Sequence, residues 1–312
     1  MEQSVEKKTK HRTVSYAKWG YIFIASFFIV YLLFTLIPQV VTIVDSFKNF
    51  IPQDGNILDF EPYFCGFDNY VAIFQANDRG EIAVFKNLGN TLIMWVMGAI
   101  PQLLVSLLLA LIFTASKLKL KLSGFFKTLF YMPNLIMASA FAALFLVLFS
   151  TIGPFHKMFE DAGLIASNFD FISNATWARI LVATMNFLMW FGNTTILLMA
   201  GIQSIDDSIF ESAKIDGASS PRILFDITLP LLKPTVVYVI ITSMIGGLQM
   251  FDVPQVLTGK AQNNDTKTMV MLINQYISSN NYGYAGAVSV ILFIITGILS
   301  IFVFKSINKK ED

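Results

Sequence analysis

The sequence predicts an all-α polytopic membrane protein with six transmembrane helices, and three observations carry that prediction. Six segments, 20–44, 87–114, 129–149, 180–201, 234–251 and 285–304, contain no Asp, Glu, Lys or Arg. Each is 18 to 28 residues long, enough for a tilted helix to cross a hydrocarbon core about 30 Å thick. The charged residues, only 14% of 312, all fall between or beyond these blocks, whereas a soluble domain carries about 25%. The apolar runs are continuous rather than alternating, which excludes a membrane barrel and leaves helices to satisfy the backbone in lipid.

Residues 1–19 form a basic tail with Lys7, Lys8, Lys10, Arg12 and Lys18. The apolar run that follows is too long for a signal-peptide core and has no small-residue cleavage site, so 20–44 reads as an uncleaved first span. Residues 45–86 are a long polar loop, and 87–305 form the core with five further spans, followed by a tail at 306–312. Pro38, Pro101 and Pro133 fall inside spans, where each removes a backbone hydrogen bond. They mark either ordinary kinks or a nearby cavity. The fourth and fifth spans carry neutral polar groups, Asn186, Asn193, Thr194, Thr195, Thr242, Ser243 and Gln249, beside Phe187, Trp190 and Phe191. Amides and aromatic rings suit a sugar, which has hydroxyls around its edge and an apolar ring face. The same residues equally serve as interhelical packing and hydrogen-bonding groups. With no ionisable side chain in any span, nothing marks a proton or ion route.

Fifteen of the 22 Lys and Arg residues lie on the side holding 1–19, 115–128, 202–233 and 305–312; seven lie opposite. The positive-inside bias therefore predicts cytosolic termini, with Lys117, Lys119, Lys121 and Lys127 the densest cluster. A net charge of +1 offers no basic surplus for nucleic acid. Cys65 is the single cysteine, so no internal disulfide forms. His11 and His156 have no partners at metal-ligand spacing, and no metal site is expected. No GxxxxGK[ST] loop is present, so the chain itself holds no P-loop nucleotide. Asp206 and Asp207 resemble a carboxylate pair but sit where acids favour a helix N-terminus. A catalytic site is not expected.

The 32-residue loop 202–233 reads as two short helices. Asp206 to Ser208 offer capping oxygens for the first, which Gly217 ends through a left-handed turn. Ser219 or Ser220 caps the second, with Pro221 at its first position. Leu229-Pro230 and Lys233-Pro234 are expected to stop that helix and redirect the chain into the fifth span. A short helix of small residues around Glu211, projecting into the cytosol, suits docking in a partner's groove.

Glu211, Ser212, Ala213, Gly217, Ile227, Leu229 and Pro230 follow the pattern E-[AS]-A, three residues, G, nine residues, I-x-L-P. That pattern, in the cytosolic loop two spans from the C-terminus, resembles the signature of binding-protein-dependent ABC importer permeases. Gly66-Phe-Asp-Asn-Tyr70, Asn90-Thr-Leu92, Pro133-Asn134, Asp216-Gly-Ala218 and Gln249-Met-Phe251-Asp252 are similar to its carbohydrate-uptake, maltose-type branch. Thr258-Gly-Lys-Ala-Gln departs from that branch's usual Thr-x-Gly-Gly-Pro turn.

The resemblance implies the ABC importer permease fold and a place in the bacterial cytoplasmic membrane. It implies a second homologous permease, two cytosolic ATPase subunits that bind ATP and Mg, and an extracytoplasmic solute-binding protein as partners. Residues 206–218 would be the coupling helix. By spacing from Glu211 and Thr258, it assigns the solute pathway to Trp190, Asn193, Ser243, Gly246, Gly247 and Met250, with Gly246 and Gly247 making room for a bulky solute. The expected solute is a neutral oligosaccharide. Glycerol phosphate or another polar solute, and a membrane sensor or anchor that does not transport, remain the alternatives.

Overall fold

A computed structural model describes residues 17–51, 61–77, 80–115, 123–259 and 265–307. Lys117, Lys119 and Lys121, the basic tail up to Tyr16 with His11, residues 260–264 of the atypical turn, and 308–312 lie outside the described residues.

The described residues contain six helical segments long and apolar enough to cross a membrane: Lys18–Asp45, Ala83–Thr114, Ala138–Asp161, Ala175–Gln203, Ser220–Leu248 and Tyr282–Ile307. They overlap the six apolar blocks, and most run further, because a helix stops at a cap rather than at the last apolar residue. The fourth span shows why. Its first turn extends back to Ala175, where the Asn174 side chain accepts hydrogen bonds from the Thr176 and Trp177 amides at 3.1 Å.

Three expectations about prolines are corrected. The block 129–149 is not one helix. Ser123–Tyr131 gives way to a tight turn at Met132–Leu135 containing Pro133, and helix resumes only at Ala138–Phe149. A last short helix, Pro154–Asp161, follows a second break. At the first break the Asn134 amide donates to the Met189 carbonyl at 3.1 Å, so the chain turns there while fastened to the fourth span. Conversely, Pro230 and Pro234 end nothing. Helix runs from Ser220 to Leu248 through a widened turn at Ile223–Thr228. In that turn the Leu229 amide reaches back to Leu224, and the Thr228 hydroxyl caps the Ile223 carbonyl at 3.1 Å. The widened turn lies just before Pro230, and the helix continues through both prolines. The first span uses the same device, with a widened turn at Leu32–Leu36 just before Pro38.

The bundle is organised around the second and fourth spans, which make its most extensive contact. Gln102 donates to the Thr194 hydroxyl at 2.8 Å, and the Ser106 hydroxyl to the Phe191 carbonyl at 2.7 Å. Such bonds contribute about 0.6 kcal/mol each in a bilayer and fix which helix faces meet. The first span stands apart along most of its length, with Phe23, Phe27 and Phe34 exposed. It is tied in only near its end. There Asn69 donates to the carbonyls of Ser46 and Lys48, both at 2.8 Å, and Tyr70 bonds the Ser46 hydroxyl at 2.7 Å. These are residues of the Gly66–Tyr70 stretch, with Gly66 at φ +61°.

Candidate functional site

The signature loop lies at one end of the bundle. Asp206 caps the helix Asp207–Ile215 by accepting from the Ser208 amide at 2.9 Å. That backbone bond, with the Ser208 hydroxyl, holds its carboxyl below the usual carboxylate range. Gly217 ends the helix at φ +74°. Its amide bonds the Lys214 carbonyl at 3.1 Å, and the Ala218 amide bonds the Ala213 carbonyl at 2.9 Å, a pair that closes the C-terminus through a left-handed residue. Ser219 occupies the next N-cap without a side-chain capping bond, and Pro221 takes the second helical position rather than the first.

Glu211, Ser212, Ala213 and Gly217 therefore share one short helix and its stop, while Ile227, Leu229 and Pro230 belong to the root of the fifth span. Glu211 is exposed. Ile215, one turn beyond Glu211 on the same helix, is 86% exposed, and Phe225 in the following widened turn is 64% exposed.

The six residues assigned to the pathway converge. Trp190, Asn193, Ser243, Gly246, Gly247 and Met250 all line one open-sided cavity of about 200 Å³ between the second, fourth and fifth spans. Trp190 and Tyr238 line it while remaining 47% and 57% exposed. Asn186 is engaged with the Val182 carbonyl (3.0 Å) and the Met250 sulfur (3.4 Å). No described residue takes a hydrogen bond from the Asn193 amide. No charged side chain lines the cavity among the described residues.

The two glycines differ. A Cβ at Gly246 would meet nothing within 4 Å, whereas one at Gly247 would lie 2.1 Å from Cδ1 of Trp95. Gly247 thus makes room for an indole of this chain. Trp95, Gln102 and Tyr238 are lining residues that no sequence pattern singles out. Trp95 and Gln102 come from the second span, outside its Asn90-Thr-Leu92 stretch.

Beyond the cavity, away from the signature loop, a buried plug of Met94, Met185, Met250, Val253 and Leu257 closes the bundle. The Asn90-Thr91 pair fastens this end. Asn90 donates to the Lys267 carbonyl at 3.2 Å and accepts from Arg179 at 2.9 Å, and the Thr91 hydroxyl accepts from the Met269 amide at 3.1 Å. Thr268 donates to the Met250 carbonyl at 2.8 Å, anchoring the Gln249–Asp252 stretch. His156 is buried in the same end, its ring Nε2 2.8 Å from the Phe169 carbonyl. It packs edge-on against Phe171.

The chain is similar to characterised proteins over nearly all of its length. The multiple sugar-binding transport system permease protein MsmF of Streptococcus mutans is 29% identical over 94% of this chain and 96% of its own. The arabinooligosaccharides transport system permease protein AraP of Bacillus subtilis is 29% identical over 96% of this chain and 92% of its own. The backbone superposes on a bacterial ABC transporter involved in import of the acidic polysaccharide alginate, with TM-score 0.77 at 20% identity, covering 95% of this chain and 96% of that one. The family model for the binding-protein-dependent transport system inner membrane component matches residues 102–310. The chain accordingly belongs to that family: it is a multi-pass inner-membrane permease component of an ABC importer.

Proposed function

We propose that this permease carries a neutral oligosaccharide, received from an extracytoplasmic binding protein, through the cavity between its second, fourth and fifth spans. The observation that carries this reading is the lining. Amides, hydroxyls and three aromatic rings surround a space of about 200 Å³, with no charge among the described lining residues. A sugar offers hydroxyls to the amides and an apolar face to the rings, while a phosphate-bearing solute would need a cation that this lining lacks. The names of the relatives, which carry sugars, support the same substrate class.

The open side of the cavity fits completion by a second homologous permease. The exposed Glu211, Ile215 and Phe225 support docking of the Asp207–Ile215 helix on one of two cytosolic ATPase subunits. ATP and Mg then bind in those partners, and this chain holds neither. Both termini lie in the cytosol, following the cation bias. Reporter fusions after Lys214 are expected to read as cytosolic and fusions after Ser167 as external. An external Lys214 would put the docking helix out of reach of any ATPase and end this reading.

Trp190→Ala tests the pathway directly. It removes an exposed ring from the cavity without touching the buried plug. Sugar uptake is expected to fall about tenfold or more, the scale of one lost base- or ring-stacking surface of ~1–3 kcal/mol, while the complex assembles normally. Uptake at the parental level in a fully assembled complex would move the solute elsewhere.

A further inference from the structure

Ser243 and Gly247 sit one helical turn apart on the fifth span, and both face the same partner. The Trp95 indole Nε1 donates to the Ser243 hydroxyl oxygen at 3.3 Å. Its Cδ1 edge occupies the space where a Gly247 side chain would begin, with Cγ 2.5 Å and Cβ 3.0 Å from that point. Residues four apart on a helix line up on one face, so together they hold the five-membered-ring edge of the indole. The same ring lines the cavity. We infer that Trp95 is a specificity-determining residue of the solute pathway, and that Ser243 and Gly247 are positioning residues that act through it.

The indole N–H is spent on Ser243, so Trp95 presents the solute with a rigid aromatic face and no free donor. It selects by bore and by stacking on an apolar sugar face, not by hydrogen bonding. From the fourth span, Trp190 and the unengaged Asn193 amide line the same cavity and supply a second ring and the polar contact. The two walls thereby divide the labour, the second span limiting width and the fourth reading hydroxyls. This inference rests on the proposed pathway through the cavity.

The test uses the assembled transporter in cells, with its own binding protein, and radiolabelled neutral di-, tri- and tetrasaccharides that the parent takes up. Complex recovered from membranes is measured alongside. Trp95→Leu is expected to shift the ratio of tetrasaccharide to disaccharide uptake by roughly tenfold, the discrimination that a small change in the fit of an apolar pocket produces. Trp95→Phe retains an aromatic ring for packing, loses the bond to Ser243, and is expected to shift the same ratio by a smaller factor. Gly247→Ala drives the indole into the bore and is expected to abolish uptake of all three sugars. The double variant Trp95→Leu/Gly247→Ala is expected to regain uptake, with the ratio of Trp95→Leu alone. A parental ratio in assembled Trp95→Leu and Trp95→Phe overturns the inference, as does a Gly247→Ala defect that Trp95→Leu leaves unrelieved. Trp190→Ala separates the two readings. If it impairs uptake while the Trp95 ratios stay parental, only the inference fails; if it too is without effect, the pathway itself is wrong.

Discussion

Glu211→Lys is expected to abolish sugar uptake and solute-stimulated ATP hydrolysis while leaving the permease inserted at parental levels. The side chain is exposed on a helix whose apolar neighbours Ile209 and Ile215 are also uncovered. A surface ion pair alone is worth about 0–1 kcal/mol, so removing the charge with Glu211→Gln should cost little. Reversal is different. Like charges brought together at a desolvated contact cost several kcal/mol, which is a hundredfold or more in occupancy of the docked state. Gly217→Val reaches the same end by another route. Its φ of +74° lies in the left-handed region, where a side chain costs roughly 1–2 kcal/mol. A β-branched one unwinds the paired bonds to Ala213 and Lys214 that aim the helix. Pull-down of the ATPase and ATP turnover in reconstituted complexes check both. Parental recruitment and turnover in the two variants would reduce loop 202–233 to a connector.

Gly192→Ala is expected to prevent assembly of the bundle. A methyl group there would lie 2.0 Å from the Phe130 carbonyl oxygen and 3.0 Å from the Tyr131 Cα, both backbone atoms that no rotamer change can withdraw. The substitution therefore pushes the broken third span off the fourth and strains the Asn134–Met189 bond beside it. Overpacking in a well-packed interior costs typically 1–3 kcal/mol and more where the obstacle is rigid. The yield of monodisperse complex and its thermal midpoint should both drop sharply. Gly246→Ala is the control, since a Cβ at that position meets nothing within 4 Å and should leave the midpoint unchanged. Equal midpoints for the two variants would mean that the close approach at Gly192 does not exist.

The pathway glycines show how much of the site is legible in sequence. Spacing from a resemblance assigns Trp190, Asn193, Ser243, Gly246, Gly247 and Met250, and all six line one cavity. Their individual roles are not legible. Gly246 faces open space, Gly247 faces Trp95, and Ser243 spends its oxygen on the same indole. Trp95 itself lies some 150 positions earlier in the chain, outside any quoted motif, so no local pattern pairs it with Ser243. Asn90 and Thr91 carry a resemblance but no function until their bonds to Lys267, Arg179 and Met269 place them at the closed end of the bundle.

By itself the sequence determined the number of spans, the all-α class, the charge-free interior, and the two ends of the signature helix, its start within Asp206 to Ser208 and its stop at Gly217. These follow from local rules, because an apolar run of sufficient length must be helical in lipid, and caps are made by residues near in sequence. Only the tertiary structure decided which face of each helix meets which neighbour. In water an amphipathic stripe announces the buried face of a helix. In a bilayer the lipid-facing side is as apolar as the packed side, so the pattern that would reveal the interface is missing. The break at Pro133 and the continuity through Pro230 and Pro234 were settled the same way. Whether a proline ends a helix depends on what donates to the freed carbonyls and where the chain must go next. Here the fifth span stays helical through Pro230 and Pro234, beyond a widened turn at Ile223–Thr228, while the Asn134–Met189 bond and the close approach at Gly192 hold the third span in its bent course.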